Sequence, residues 1–275
     1  MFRFASKTHA GYRDGENQDA VGCDPKHALW FIADGLGGQA AGSVASDVVK
    51  ATLLELIDTA PLDQAILCAH GAILRNVEEE PAHAGMGSTV VAAKLIGAQC
   101  TIMWVGDSRA YLWRQGQLSA LTRDHTLVEE LRESQGLTDE QVRSYPDRGK
   151  LTLALGLKVG PVARMQSRLR AGDQVLLCSD GLTDELTDEA ISGLLRSHPV
   201  TEEACDALIA AALEHGGKDN MSVVLVAYNG RGKGEPMTPL TPRTIMVLSI
   251  LIGVAAAIVV AWVSWLLFAR HQRGM

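Results

Sequence analysis

No pair of cysteines in this sequence has CxxC spacing, and the five that are present (Cys23, Cys68, Cys100, Cys178 and Cys205) are an odd number. A disulfide framework and a zinc site are therefore both excluded as organising features, and several of these thiols sit in apolar runs as small core residues. The opening segment MFRFASKTHAGYRDG has no apolar stretch of the kind that directs secretion, so we expect synthesis and residence in the cytosol. Neither GxGxxG nor GxxxxGK[ST] occurs. Gly37, Gly38 and Gly42 are thus assigned to backbone geometry rather than to a nucleotide loop. Ser108 and Ser179 lack a GxSxG setting and are set aside as nucleophiles. Excess basic charge is missing too: 25 Lys and Arg face 32 Asp and Glu, a net charge of −7. That balance argues against a nucleic-acid binder. With 47% hydrophobic and 21% charged residues the chain is not disordered.

The charge is unevenly placed. After Gly230 five cations and one carboxylate leave +4, so the first 230 residues carry −11. Residues 244–269 hold no charged residue over 26 positions, and a helix of that length rises roughly 39 Å. Arg243 precedes it, Arg270, His271 and Arg273 follow it, and Trp262 and Trp265 lie near its C-terminal end. This pattern predicts a single transmembrane helix with an aromatic belt. Residues 230–243, punctuated by Gly and Pro, are expected to be a linker, and residues 270–275 a short tail. The folded domain would be residues 1–229, facing the cytosol from the inner membrane.

Within that part, residues 30–33, 89–95, 101–105, 110–113, 174–178 and 222–228 have strand character. Helical spacing covers residues 43–57 and 63–79. Thr126-x-x-Glu129 and Thr138-x-x-Gln141 are capping-box signatures. Thr187-Asp188-Glu189 and Thr201-Glu202-Glu203 place acid in first turns, where the helix dipole favours it. Clustering of helices and then strands predicts α+β with antiparallel sheets rather than a βαβ repeat.

Four aspartates, Asp34, Asp107, Asp180 and Asp219, share one context: the end of a strand-like run, followed by Gly, Ser or Asn. One Asp-Gly is ordinarily a turn. Four in matching settings suggest carboxylates gathered at a loop-lined rim. Carboxylates so gathered repel one another unless cations are present, and such donors suit Mg²⁺ or Mn²⁺.

These same residues carry a resemblance to the type 2C metal-dependent protein phosphatases, bacterial type. Asp34-Gly35-Leu36-Gly37-Gly38 through Ser46 resembles the opening motif. Gly87-Ser88-Thr89, Val105 to Tyr111 with Leu121 to His125, Leu176 to Asp184, and Gly217 to Val223 follow in the family's order. The resemblance implies a four-layer α-β-β-α sandwich with two central antiparallel sheets. It implies phosphoserine and phosphothreonine hydrolysis in proteins by a metal-activated water at a binuclear Mn²⁺ or Mg²⁺ centre. Asp34 would bridge both ions, with the Gly35 carbonyl on one and Asp180 and Asp219 completing the set. Asp107, with Asp180, would hold a weaker third ion. Arg13 would bind phosphate, Asp19 would join the metal–water network, and residues 124–150 would form a flap linked to substrate choice. Phosphoproteins and a cognate bacterial serine/threonine kinase are the implied partners. Three positions depart from the pattern: Gln18 replaces a Glu that binds metal in some relatives, Leu36 a His proposed as general acid, and Leu153 an Arg. A catalytically weak phosphoprotein-binding module and a small-molecule phosphohydrolase of the same fold stay open as alternatives. His125, an Asp-His at a helix start, is assigned a structural role.

Overall fold

The structure, a computed structural model, describes residues 2–12 and 15–230. Arg13, the linker beyond Gly230, the expected span 244–269 and the tail lie outside the described residues. Among the described residues no helix is long and apolar enough to cross a membrane. Residues 1–230 form one compact unit.

In chain order the elements are β1 (Phe2–His9), β2 (Asp19–Asp24), β3 (Leu29–Leu36), α1 (Gly38–Glu55), α2 (Leu62–Glu79), β4 (Gly87–Ser88), β5 (Val90–Ile96) and β6 (Gln99–Val105). Then come β7 (Arg109–Arg114), β8 (Gln117–Ala120), α3 (Leu127–Gln135), α4 (Asp139–Arg143) and β9 (Ala163–Arg168). The unit closes with β10 (Asp173–Cys178), α5 (Asp180–Thr183), α6 (Asp188–Ser197), α7 (Thr201–His215) and β11 (Met221–Tyr228). One sheet has the order β1-β11-β10-β7-β8 and the other β2-β3-β5-β6-β9, with β4 paired to β3. Every pairing is antiparallel.

Strand alternation builds three cores from these two sheets. In β3, Trp30 and Ile32 point between the sheets, while Leu29, Phe31 and Ala33 point at α1 and α2. In β11, Val224 and Val226 face inward, and Met221, Val223 and Leu225 face α7. Both faces of each central strand are covered, so the strands are apolar at nearly every position. This is the expected α-β-β-α sandwich.

Three details differ from expectation. Five strands had no sequence signal: β1, β2, β4, β8 and β9. Helix α1 starts at Gly38, earlier than its apolar period, because Gly37 turns the chain with φ at 126°. Thr126 precedes α3, but its side chain caps nothing. Its backbone pairs with Leu151, and the Glu129 carboxylate is taken by Arg123 and Arg132, each at 3.3 Å. The capping box at Thr138 and Gln141 does form, and the Thr187 hydroxyl accepts from the Ala190 N–H at 3.3 Å.

Candidate metal centre

Antiparallel pairing brings the chosen aspartates to one pole of the sandwich. Asp19 opens β2 and stands directly opposite Asp34 near the end of β3. Asp107 follows β6, Asp180 follows β10, and Asp219 precedes β11. The last corrects the sequence reading: Asp219 sits before a strand, not after one. Because β11 runs antiparallel to β10, its beginning lies at the same pole as the end of β10.

The Asp34 backbone is fixed by the Gly87-Ser88-Thr89 segment. Its N–H donates to Thr89 Oγ1 (3.1 Å), and its carbonyl accepts from the Thr89 N–H (2.8 Å) and the Ser88 hydroxyl (3.0 Å). Thr89 Oγ1 in turn shares a 2.7 Å hydrogen bond with Ser108, the neighbour of Asp107. Gly35 is buried, and a Cβ there would run into the Gly42 carbonyl. Its N–H donates to the Gln18 carbonyl at 3.1 Å.

Gln18, the departure from a metal-binding Glu, has a structural partner. Its buried side-chain amide donates to the Gly38 carbonyl at 2.6 Å, and its N–H donates to Asn220 Oδ1 at 2.8 Å. Asn220 Nδ2 reaches the Ala10 carbonyl at 2.8 Å, so one residue ties the first loop to the start of α1 and the approach to β11. Ser179 and Ser222 also act as positioning groups. The Ser179 hydroxyl donates to Asp19 Oδ2 at 2.7 Å, and the Ser222 N–H donates to Ser179 Oγ at 2.9 Å. These residues lie inside the motifs the sequence singled out but carry no charge, which is why residue chemistry alone did not select them. Leu153, in the place of an Arg, packs at the margin of the α1–α2 core.

Electrostatics separate these aspartates from ordinary ones. Burial first, then repulsion from Asp180, Asp19 and Asp107, holds Asp34 well above the usual carboxylate range. Burial and then Asp180 do the same to Asp107. Burial pushes Asp180 up to about 7, despite its hydrogen bond with Asp34. Burial, opposed by bonds from Ser222 and Ser179, leaves Asp19 at about 6. Asp34 and Asp180 are thus both raised, chiefly by burial, and the charge of Asp180 is the largest of the carboxylate effects on Asp34.

The donor set fits hard divalent cations. It is all oxygen, it is over-supplied with negative charge, and Asp19 Oδ1 is buried with no hydrogen-bond partner. Among the described residues no three acidic, His or Cys side chains form a finished cage. Charge coupling extends farther than ligation, so the carboxylates sense one another without meeting at one point.

Beside this pole a cleft of about 560 Å³ runs between the flap and the α5–α6 segment, with Asp107 and Asp180 in its lining. The Leu127 N–H to Lys150 carbonyl bond (2.9 Å) closes the base of the flap, and Arg148 reaches Asp184 across the cleft at 3.3 Å. Beneath it, Arg109 grips Asp124 through Nε (2.9 and 3.0 Å) and Nη2 (2.6 Å). His125 Nδ1 accepts the Gly106 N–H at 3.1 Å while its ring stacks on Trp104, a packing role with the proton placed on Nε2. Of the sequence-selected site residues, Asp19, Asp34, Gly35, Asp107, Asp180 and Asp219 are thus at one pole, and Arg13 is outside the described residues.

The chain matches the family described as Protein phosphatase 2C across residues 8–225. It is 40% identical over 233 residues to the serine/threonine protein phosphatase PstP of Mycobacterium tuberculosis, covering 82% of this chain and 45% of that protein. The chain therefore spans about half the length of that relative. It is 35% identical over 234 residues to the serine/threonine phosphatase stp of Listeria innocua, covering 80% of this chain and 90% of that one. A crystal structure of the PstP catalytic domain in complex with two manganese ions superposes with a TM-score of 0.74 at 37% identity, covering 82% of this chain and 97% of that one.

Proposed function

This chain belongs to the protein phosphatase 2C family, and on that premise we propose that it hydrolyses phosphoserine and phosphothreonine esters in proteins with Mn²⁺ or Mg²⁺ as cofactor. The observation that carries the reading is the gathering of Asp19, Asp34, Asp107, Asp180 and Asp219 from separate strand ends onto one pole, where burial and mutual repulsion favour a bound cation. Bound divalent ions supply an activated water and neutralise the phosphoryl oxygens.

Asp34 would bridge two ions, the Gly35 carbonyl would join one, and Asp180 and Asp219 would complete its protein ligands. Asp107 with Asp180 offers a weaker third position, and Asp19 its unpartnered oxygen. Arg13 would clamp the phosphate, a task suited to a planar fork of donors. The bonds from Ser88 and Thr89 to the Asp34 backbone hold its carboxylate in place before substrate arrives.

Location belongs to the same proposal. The uncharged residues 244–269, flanked by Arg243 and Arg270, support a single-pass tether in the inner membrane with the phosphatase facing the cytosol. A serine/threonine kinase would supply its substrates. The test is phosphate release from a phosphothreonine peptide by the full chain in detergent, with Mn²⁺ and after chelation. Mn²⁺-dependent release that chelation abolishes is expected; release indifferent to metal, or none at all, sinks the assignment. Protease protection of a C-terminal tag in sealed vesicles tests the topology.

A further inference from the structure

We propose that the cleft beneath the flap is a subsite for an arginine or lysine that flanks the phosphorylated residue of the substrate. The proposal rests on the phosphoprotein phosphatase reading above and names a property of its substrates.

Eight carboxylates and three guanidinium groups line the cleft. The guanidiniums are spoken for: Arg109 by Asp124, Arg132 by Glu129 and Arg148 by Asp184. Asp107 and Asp180 belong to the metal centre. Glu185, Asp188 and Glu189 are the other three, and the first two accept hydrogen bonds from neutral donors: the Lys218 N–H at 3.2 Å and the Tyr111 hydroxyl at 3.1 Å. Neither Glu185 nor Asp188 has an ion-pair partner among the described residues, so these two leave uncompensated negative charge on the wall between α5 and α6.

An independent feature points to a ligand at the same place. Thr126 also lines the cleft, is 3% exposed, and has a hydroxyl with no hydrogen-bond partner. A buried hydroxyl without a partner is costly, and native structures seldom keep one idle. A guanidinium or ammonium entering from the cleft mouth would donate to this oxygen while its charge met Glu185 and Asp188. Asp107 and Asp180 line the same cleft as Thr126, Glu185 and Asp188, and an extended peptide advances about 3.3–3.6 Å per residue. The basic residue therefore falls within two positions of the phosphorylated one. A volume of about 560 Å³ admits a long cationic side chain with water.

The test compares phosphothreonine peptides that differ only in Arg or Ala at each position from two before to two after the phosphothreonine. The measurement is the ratio of kcat/KM values, Arg over Ala, with the Mn²⁺-loaded full chain in detergent. At one or more positions the ratio should be about tenfold, the scale of one charge-assisted hydrogen bond. Glu185→Gln with Asp188→Asn keeps both hydrogen-bond acceptors, removes the charge, and should bring the ratio to about twofold. Thr126→Val should lower it about threefold, and Thr126→Ser should restore it. Because each figure is a ratio within one protein, a general loss of activity does not mimic the effect. A ratio near one at every position, or a ratio unmoved by these variants, overturns the subsite. If no peptide is turned over, the phosphatase reading fails on its own. The subsite is then decided by fluorescence anisotropy of the same labelled peptides, where equal affinity for the Arg and Ala forms overturns it.

Discussion

At the end of the sandwich where β10 begins, Asp173 is buried yet titrates below the ordinary range. Burial works against it, but Arg114 donates through Nε (3.0 Å) and Nη2 (2.6 Å), and the Arg170 N–H adds a bond at 2.6 Å. Asp24, nearby at the end of β2, is likewise lowered by His27. At the opposite pole Asp19, Asp34, Asp107 and Asp180 are all raised, with burial as the largest cause and other aspartates among the rest. One residue type on the same strands behaves in two ways, and what differs is whether a cation stands beside it. At the first end the protein supplies the cation from its own side chains. At the second the hydroxyl bond from Ser179 to Asp19 and the charge of Arg109 near Asp107 leave the carboxylates raised, which marks that pole as a place for ions brought from solution.

The sharpest way to break this contrast is to remove one of the raised carboxylates. Asp180→Asn should lower Mn²⁺-dependent hydrolysis of an aryl phosphate by about a thousandfold or more, on the scale of losing an ion that stabilises transition-state charge. Circular dichroism should show the fold unchanged, since the residue sits at a strand end outside the three cores. Full activity in that variant would remove the pole from the mechanism.

Next in size is the pH dependence of the metal-free protein. Asp180 at about 7 and Asp19 at about 6 keep protons that an unfolded chain releases near pH 4. The folded state thus binds more protons between pH 4 and 7, so stability falls as pH rises through that window. A loss on the order of a few kcal/mol is expected, and Mn²⁺ added at pH 7.5 should reverse it. Chemical denaturation at pH 5 and 7.5, with and without Mn²⁺, reads both effects. Metal-free stability that climbs from pH 5 to 7.5 would contradict the contrast.

How far was this legible beforehand? The six strands with a sequence signal, among them β3, β10 and β11, are central or paired on both sides, and their apolar runs follow from burial on two faces. Of the five without one, four are the outer strands of the two sheets, β1 and β8 in one and β2 and β9 in the other, and the fifth, β4, is only two residues long. An outer strand such as β9, with Arg164, Gln166 and Arg168, keeps a solvated edge and so carries little apolar period. The aspartates were legible because a charge after a strand-like run is conspicuous. Asp219 was found by its motif, although its strand position was misjudged. The role of Gln18 was not legible, because an amide that fastens a loop to a helix start looks like any other polar residue until the loop is folded. Thr126 was misjudged for a related reason: Ser/Thr-x-x-Glu specifies a cap only if the Glu is free, and here Arg123 and Arg132 hold it.

A smaller effect tests the end where the protein supplies its own cations. Asp173→Asn removes the partner of Arg114 and should lower the melting temperature by about 4 °C. The loss should be equal with and without Mn²⁺, since this carboxylate owes nothing to metal. The wild-type contribution exists above pH 4 and disappears as pH falls below it, the reverse of the site pole, because this carboxylate is lowered rather than raised. A loss seen only in the metal-loaded protein would mean that the two ends are coupled.

The smallest expected change concerns Thr126, on the flap side of the site pole. A buried hydroxyl without a partner costs the folded state more than a methyl of the same shape. Thr126→Val should therefore leave the melting temperature unchanged or raise it by about 1–3 °C, an outcome opposite to that of most buried substitutions. The backbone bridge from Thr126 to Leu151 does not involve the side chain and should survive. A protein that gains stability when a polar group is removed has been carrying that group against its own folding, as functional sites do. If the variant instead melts several degrees lower, the hydroxyl is a structural anchor whose partner forms in solution, and the site pole has one fewer group awaiting a ligand.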